Sequence, residues 1–281
     1  MAVDDRFPTH SVDLRLVAAD MDGTLLDADG RVPDGLWPVL QLMRERGIVF
    51  APASGRQYAT LRRLFEQDAA GMPFIAENGA FVVRDDREIS SAPIGRAAVV
   101  GVLDAMRGLS AAGGDVGVVV CGKRRAFVER SDEPFLDEVR KYYLSFEIVA
   151  DLRVVEADAI KLAIFDFGDA AATAAPALSS VGETHQVVVS GHHWVDVMSS
   201  GVNKGVALRA LQTDLGITPA QTAAFGDYLN DLEMLQAADL SFAMENAHPK
   251  IKRVARYAAP HHTDGGVVTV LSDLLRCPGV G

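Results

Sequence analysis

The stretch from Leu14 to Asp20 is an apolar run that ends in acid and is followed at once by Met21-Asp22-Gly23-Thr24. Apolar residues at consecutive rather than alternate positions suit a strand buried on both faces, as inside a parallel sheet. The residues after Thr24 keep to that frame. Pro33 to Arg46 is amphipathic and closed by Gly47, residues 48–54 form a second apolar run, Gln57 to about Gln67 has helical spacing, and Phe74 to Glu77 reads as a third strand. Strand and helix in alternation require right-handed crossovers, which place functional loops at the carboxyl ends of the strands.

The same alternation returns near the C-terminus. Residues 205–216 read as helix, 222–227 as strand, 231–239 as helix, 240–244 as strand and 248–256 as helix. Between the two halves the texture changes to strand pairs, such as 115–122 with 125–131, broken by 134–143 and by the alanine-rich 168–182. The latter is expected to be a plain surface helix, since alanine is the best helix former. The fold class is therefore α/β: a Rossmann-like three-layer core with a parallel sheet, built from residues 1–84 and 187–281, with an α+β domain inserted over 85–186.

Polar clusters fall at the strand ends of the core. Asp20 and Asp22, one residue apart where the chain still runs extended, point the same way, and two close carboxylates attract a hard divalent cation such as Mg2+. On its own the segment fits a plain Asp-Gly turn equally well. After the second strand, Ser54 and Gly55 offer a hydroxyl and flexible backbone amides just before a helix, which is an anion site or a simple helix cap. Lys204, between Gly201 and Gly205, opens a helix against the helix dipole, a position that suits contact with a phosphate. Asp227, Asn230 and Asp231 occupy a further strand-to-helix junction, where Asp227 can complete a metal shell and Asp231 either contacts the metal or only supports the site as a helix cap.

Taken in order, DMDGTLLD, SGR, GVNKG and GDYLND resemble the four motifs of the haloacid dehalogenase superfamily over most of the chain. ENGA at 77–80, residues 194–208, SFAMENA and DGGVVTVL are similar to the Cof-type branch, subfamily IIB, whose C2 cap lies between the second and third motifs. The resemblance implies a Mg2+-dependent phosphatase. By motif position Asp20 is the nucleophile and a metal ligand, Asp22 the general acid and base and a ligand through its carbonyl, and Asp227 the remaining carboxylate ligand. Ser54, Gly55, Lys204 and Asn230 hold phosphate, and the inserted domain selects the substrate. Glu245 stands where the family often has glycine, and Ser54 keeps the hydroxyl that threonine supplies elsewhere.

The implied substrate is a small phosphorylated metabolite, and two alternatives remain: a phosphomutase of similar design, or a silent binding protein on the same scaffold. The formal charge of -11, with no long lysine and arginine run, sets nucleic acid aside as a partner. No apolar run is long enough to span a membrane, and the first ten residues lack an apolar leader core, so a loose N-terminal tail and a cytoplasmic monomer or homodimer are expected. Cys121 and Cys277 have no metal-ligand spacing and are expected as reduced thiols. No GxGxxG follows the first strand, which argues against a nicotinamide enzyme. The pairs His192 with His193 and His261 with His262 are set aside as metal sites because neighbours on a strand face opposite ways. Lys123, Arg124, Arg125 and Lys161 are read as ordinary charges of the insert.

Overall fold

The computed structural model describes residues 13–276. The expected N-terminal tail and Cys277 lie outside the described residues. The chain begins with β1 (Leu16–Asp20), α1 (Leu36–Glu45), β2 (Val49–Ala53), α2 (Tyr58–Leu64), β3 (Pro73–Ala76), β4 (Phe81–Arg84) and β5 (Arg87–Ser91). All five residues of β1 are buried, as the continuous apolar run requires of a strand covered on both faces. In α1, Leu36, Val39, Leu40 and Met43 are buried at i, i+3, i+4 and i+7, which is one helical stripe.

The insert contains α3 (Arg96–Ala111), β6 (Val116–Gly122), β7 (Ala126–Val128), α4 (Glu133–Tyr142), β8 (Phe146–Ile148), β9 (Ala159–Asp166), the single turns α5 (Ala174–Ala177) and α6 (Ser179–Gly182), β10 (His185–Val189) and β11 (Trp194–Ser199). Its six strands are ordered β10-β11-β9-β6-β7-β8 and pair antiparallel except for β7 with β8. Alternate residues of β6 serve two cores: Val116, Val118 and Val120 pack in a cluster with Val102, Leu103 and Met106 of α3, whereas Val119 and Cys121 join Phe135, Leu136 and Val139 of α4. Cys121 is a buried free thiol. The alanine-rich stretch is not one surface helix. Ala170, Ala174 and Leu178 are buried at four-residue steps, and Pro176, which has no N–H to donate, accompanies its division into two short turns.

The return to the first sheet supplies α7 (Lys204–Leu215), β12 (Thr222–Gly226), α8 (Leu232–Gln236), β13 (Leu240–Met244), α9 (Pro249–Val254), β14 (Tyr257–Ala259) and α10 (Gly266–Arg276). The core sheet has eight strands in the order β14-β13-β12-β1-β2-β3-β4-β5, parallel from β14 to β3 with an antiparallel step at β4. Phe225 and Phe242, aligned on β12 and β13, stack with ring centres 4.7 Å apart. Helix α1 packs on α10, and α7 on α8.

Contacts divide the chain into two units. One comprises the chain up to Gly55, Leu61–Ser90 and everything from Asn203; the other comprises Arg56–Thr60 and Ser91–Val202. Against the 85–186 read from the sequence, the insert starts later because β5 joins the edge of the core sheet. It ends later because β10 and β11 hydrogen-bond in sequence onto β9. Among the described residues no helix is long and apolar enough to cross a membrane.

Candidate active site

Strand β1 carries Asp20 to its carboxyl end, where the sheet register fixes its neighbours. Asp20 is level with Ala53 of β2, and Ala19 with Phe225 of β12. The residues just beyond those partners, Ser54 and Gly55 on one side and Asp227 on the other, therefore flank it. Asp22 is exposed, whereas Asp20 and Ser54 are buried.

Lys204, the first residue of α7, is fully buried. Its Nζ donates to Asp20 Oδ1 and, at 2.7 Å, to Asp231 Oδ1. The helix starts there because Asn203 caps it, its Oδ1 accepting the Val206 N–H at 2.8 Å. Burial works against the ammonium, yet the charges of Asp20 and Asp231 outweigh it and hold Lys204 above the ordinary lysine range. Burial likewise pushes the Asp20 carboxyl well up; the charge of Asp231 adds to this, and Lys204 offsets only part. Asp227 is raised by burial and by Asp231, against the opposing effects of Thr24, Lys204 and His262.

Asp231 does more than cap. Its second oxygen accepts the N–H groups of Asp227 and Tyr228 at 3.0 and 3.1 Å, tying the turn after β12. Gly226 makes room for it, since a Cβ at 226 would meet the Asp231 Cβ at 2.5 Å. Thr24 does not merely close its own turn but donates from Oγ1 to Asp227 Oδ1 at 3.0 Å. Gly23 has φ of 80°, and a Cβ there would stand 2.5 Å from Asp227 Oδ2. Gly23→Ala should therefore cost about 1–3 kcal/mol of stability and displace Asp227, which a urea melt and a turnover assay together would detect. An alanine variant with unchanged melt and turnover would contradict this packing.

Asp20, Asp227 and Asp231 each place a carboxylate oxygen such that all three lie within 4.8 Å of one another. When ionised, these three carboxylates face a single ammonium, an excess of negative charge that a hard dication with oxygen ligands matches. Both oxygens of Asp231 already accept hydrogen bonds. The histidine pairs sit in turns rather than on strands, so the argument from strand faces does not apply to them. Instead, Nδ1 of His193 and of His262 is directed at backbone carbonyls, of Gly168 at 2.8 Å and of Leu26 at 2.9 Å.

Sequence reasoning misses Asn246. Its Nδ2 donates to the Gly23 carbonyl at 2.7 Å while its Oδ1 accepts the His262 N–H at 3.3 Å, bracing the loop that carries Asp22. It lies in the AMENA segment, next to the unusual Glu245, but nothing local to that segment announces a partner so distant in the chain.

A family model described as haloacid dehalogenase-like hydrolase matches residues 17–271. The chain is 30% identical over 266 residues to a 5-amino-6-(5-phospho-D-ribitylamino)uracil phosphatase of Escherichia coli (strain K12), covering 94% of this chain and 97% of that protein. It is 28% identical to an HMP-PP phosphatase of Cronobacter sakazakii, covering 84% of this chain and 86% of that one. A haloacid dehalogenase-like hydrolase from Bacteroides thetaiotaomicron has a similar fold, with a TM-score of 0.82 at 21% identity, covering 93% of this chain and 99% of that one. The chain belongs to the haloacid dehalogenase-like hydrolases, and among them it is a phosphatase.

Proposed function

We propose that this phosphatase takes the phosphate of a small phosphorylated metabolite onto Asp20 and then gives it to water. The observation that carries the reading is the meeting of Asp20, Lys204, Asp227 and Asp231 at the carboxyl ends of β1 and β12. Asp20 attacks phosphorus, the bond from phosphorus to the leaving oxygen breaks, and Asp22, exposed beside it, supplies the proton that oxygen needs. Water then attacks the aspartyl phosphate, Asp22 takes its proton, and Asp20 and inorganic phosphate are released. Mg2+, held by Asp20, Asp227 and the Asp22 carbonyl, would neutralise charge on the phosphoryl oxygens.

Ser54, the Gly55 amide, Asn230 and the third N–H of Lys204 hold the same oxygens. Each places a fixed dipole or charge where phosphate gains negative charge, so the acidic surface is no obstacle. Names of relatives suggest the first substrates to try: 5-amino-6-(5-phospho-D-ribitylamino)uracil and HMP-PP. Protein stripped with a chelator should release little phosphate from any of them, and added Mg2+ should restore release. Turnover that ignores the chelator would rule out the metal, and transfer of phosphate within a substrate, without release, would indicate a mutase.

A further inference from the structure

Residues 77–79 form a turn that the phosphate chemistry above does not use. Its backbone is unusual: Glu77, Asn78 and Gly79 take φ of 50°, 55° and 97° in succession. Two consecutive non-glycine residues in the left-handed region carry strain that the surroundings must hold in place. Those surroundings are three loops assigned to the site. The Asn78 N–H donates to the Ser54 carbonyl at 2.9 Å. A Cβ at Gly55 would lie 3.0, 3.2 and 3.3 Å from Nδ2, Oδ1 and Cγ of Asn78, so the carboxamide faces the Gly55 Cα flat on. A Cβ at Gly79 would lie 2.5 Å from the carbonyl oxygen of Asn203, the residue before Lys204. Finally, Asn78 Oδ1 accepts from Asn230 Nδ2 at 3.1 Å.

That last bond sets a direction. A carboxamide presents an acceptor at one end and two N–H donors at the other, and it binds an anion only with the donor end. By accepting one N–H of Asn230, Asn78 fixes which end of that side chain is the donor and leaves its second N–H for a phosphate oxygen.

We infer that Asn78 is a positioning residue for phosphate: through its side chain it orients the Asn230 amide, 152 residues away in the chain, and seats the Ser54-Gly55 loop, joining the two halves of the phosphate cradle. This rests on the reading of Ser54, Gly55 and Asn230 as phosphate ligands.

Asn78→Gly keeps a backbone that tolerates positive φ while deleting the carboxamide, so it separates the side chain from the turn. With p-nitrophenyl phosphate and Mg2+, this variant should raise KM, and the inhibition constant of inorganic phosphate, about tenfold, the worth of one hydrogen bond to a charged ligand. Its kcat should stay within about threefold. Asn78→Asp should bind phosphate more weakly than Asn78→Gly although it keeps the acceptor for Asn230, because its charge repels the anion. That order would show the side chain to lie beside the anion, and the double variant tests whether it acts through Asn230.

Because part of the Asn78 effect runs through Asn230, the double variant Asn78→Gly with Asn230→Ala should raise KM by less than the product of the two single effects; fully additive effects would overturn the inference. Should Asn230→Ala weaken phosphate while Asn78→Gly leaves KM and phosphate inhibition untouched, the inference fails and the cradle stands. If neither variant alters them, the cradle itself is wrong and the inference goes with it. A lowered melting temperature in Asn78→Gly with unchanged phosphate affinity would mark the turn as structural only.

Discussion

Asp20→Asn should reduce phosphate release by about 10⁴-fold or more, since the change removes the nucleophile of a two-step reaction and no other group at the site can take its place. The fold should survive. Asp20 is buried, and its carboxyl is pushed up by that burial and by Asp231, so the native charge there is held against a cost that a neutral amide does not incur. An amide oxygen can still accept from Lys204, which retains Asp231 as its counter-charge. Stability should therefore stay within about 1 kcal/mol of the parent, as read from urea unfolding. Near-parental turnover in this variant would falsify the assignment of Asp20.

This site can be located from sequence because of how a parallel sheet presents itself. β1 is covered on both faces, so its sequence is apolar without alternation, and any acid that ends it stands out. Asp20, Ser54 and Asp227 can be placed together from sequence because they follow strands that a parallel order makes neighbours. The bonds that complete the site are not legible there. Thr24 reaches Asp227 across 203 residues and Asn246 reaches Gly23 across 223, and an isolated asparagine or threonine gives no local sign of such a partner. The end of the insert is misplaced for a related reason. β11 is buried at its centre like a core strand, and only its antiparallel pairing with β9 and β10 assigns it to the second sheet.

The electrostatics of the site follow from the same crowding. A protein with an overall charge of -11 binds an anion only where the local field is reversed, and in the proposed site that reversal would depend on Lys204 together with the metal ion. The ammonium is placed by the cap at Asn203 and by the close packing of α7 against α8, rather than by flexible reach from the surface. In the proposed site such a lysine would have little freedom to lose on binding phosphate, which is the preorganisation that electrostatic catalysis needs.

Lys204→Met tests that dependence. Methionine nearly matches the lysine in length and fills its space, so packing loss is small, but Asp20 and Asp231 are left facing each other in a buried site without a counter-charge. Breaking a buried pair by removing one partner costs about 3–5 kcal/mol, and this variant should lose that much stability at neutral pH in the absence of metal. The sign of the pH dependence follows from Asp20. Its carboxyl already sits above the ordinary range in the folded state, and losing Lys204 removes an influence that lowers it. The folded state then holds more protons than the unfolded chain above the ordinary carboxylate range, so stability falls as pH rises through that window and recovers on acidification. Urea unfolding of the variant at pH 5 and pH 8 should therefore show the larger deficit at pH 8. Added Mg2+ should restore part of it, because a dication held by Asp20 and Asp227 would supply positive charge beside Asp20 in the folded state alone. A variant as stable as the parent at pH 8 without metal would mean that the two carboxylates do not share Lys204 as their counter-charge.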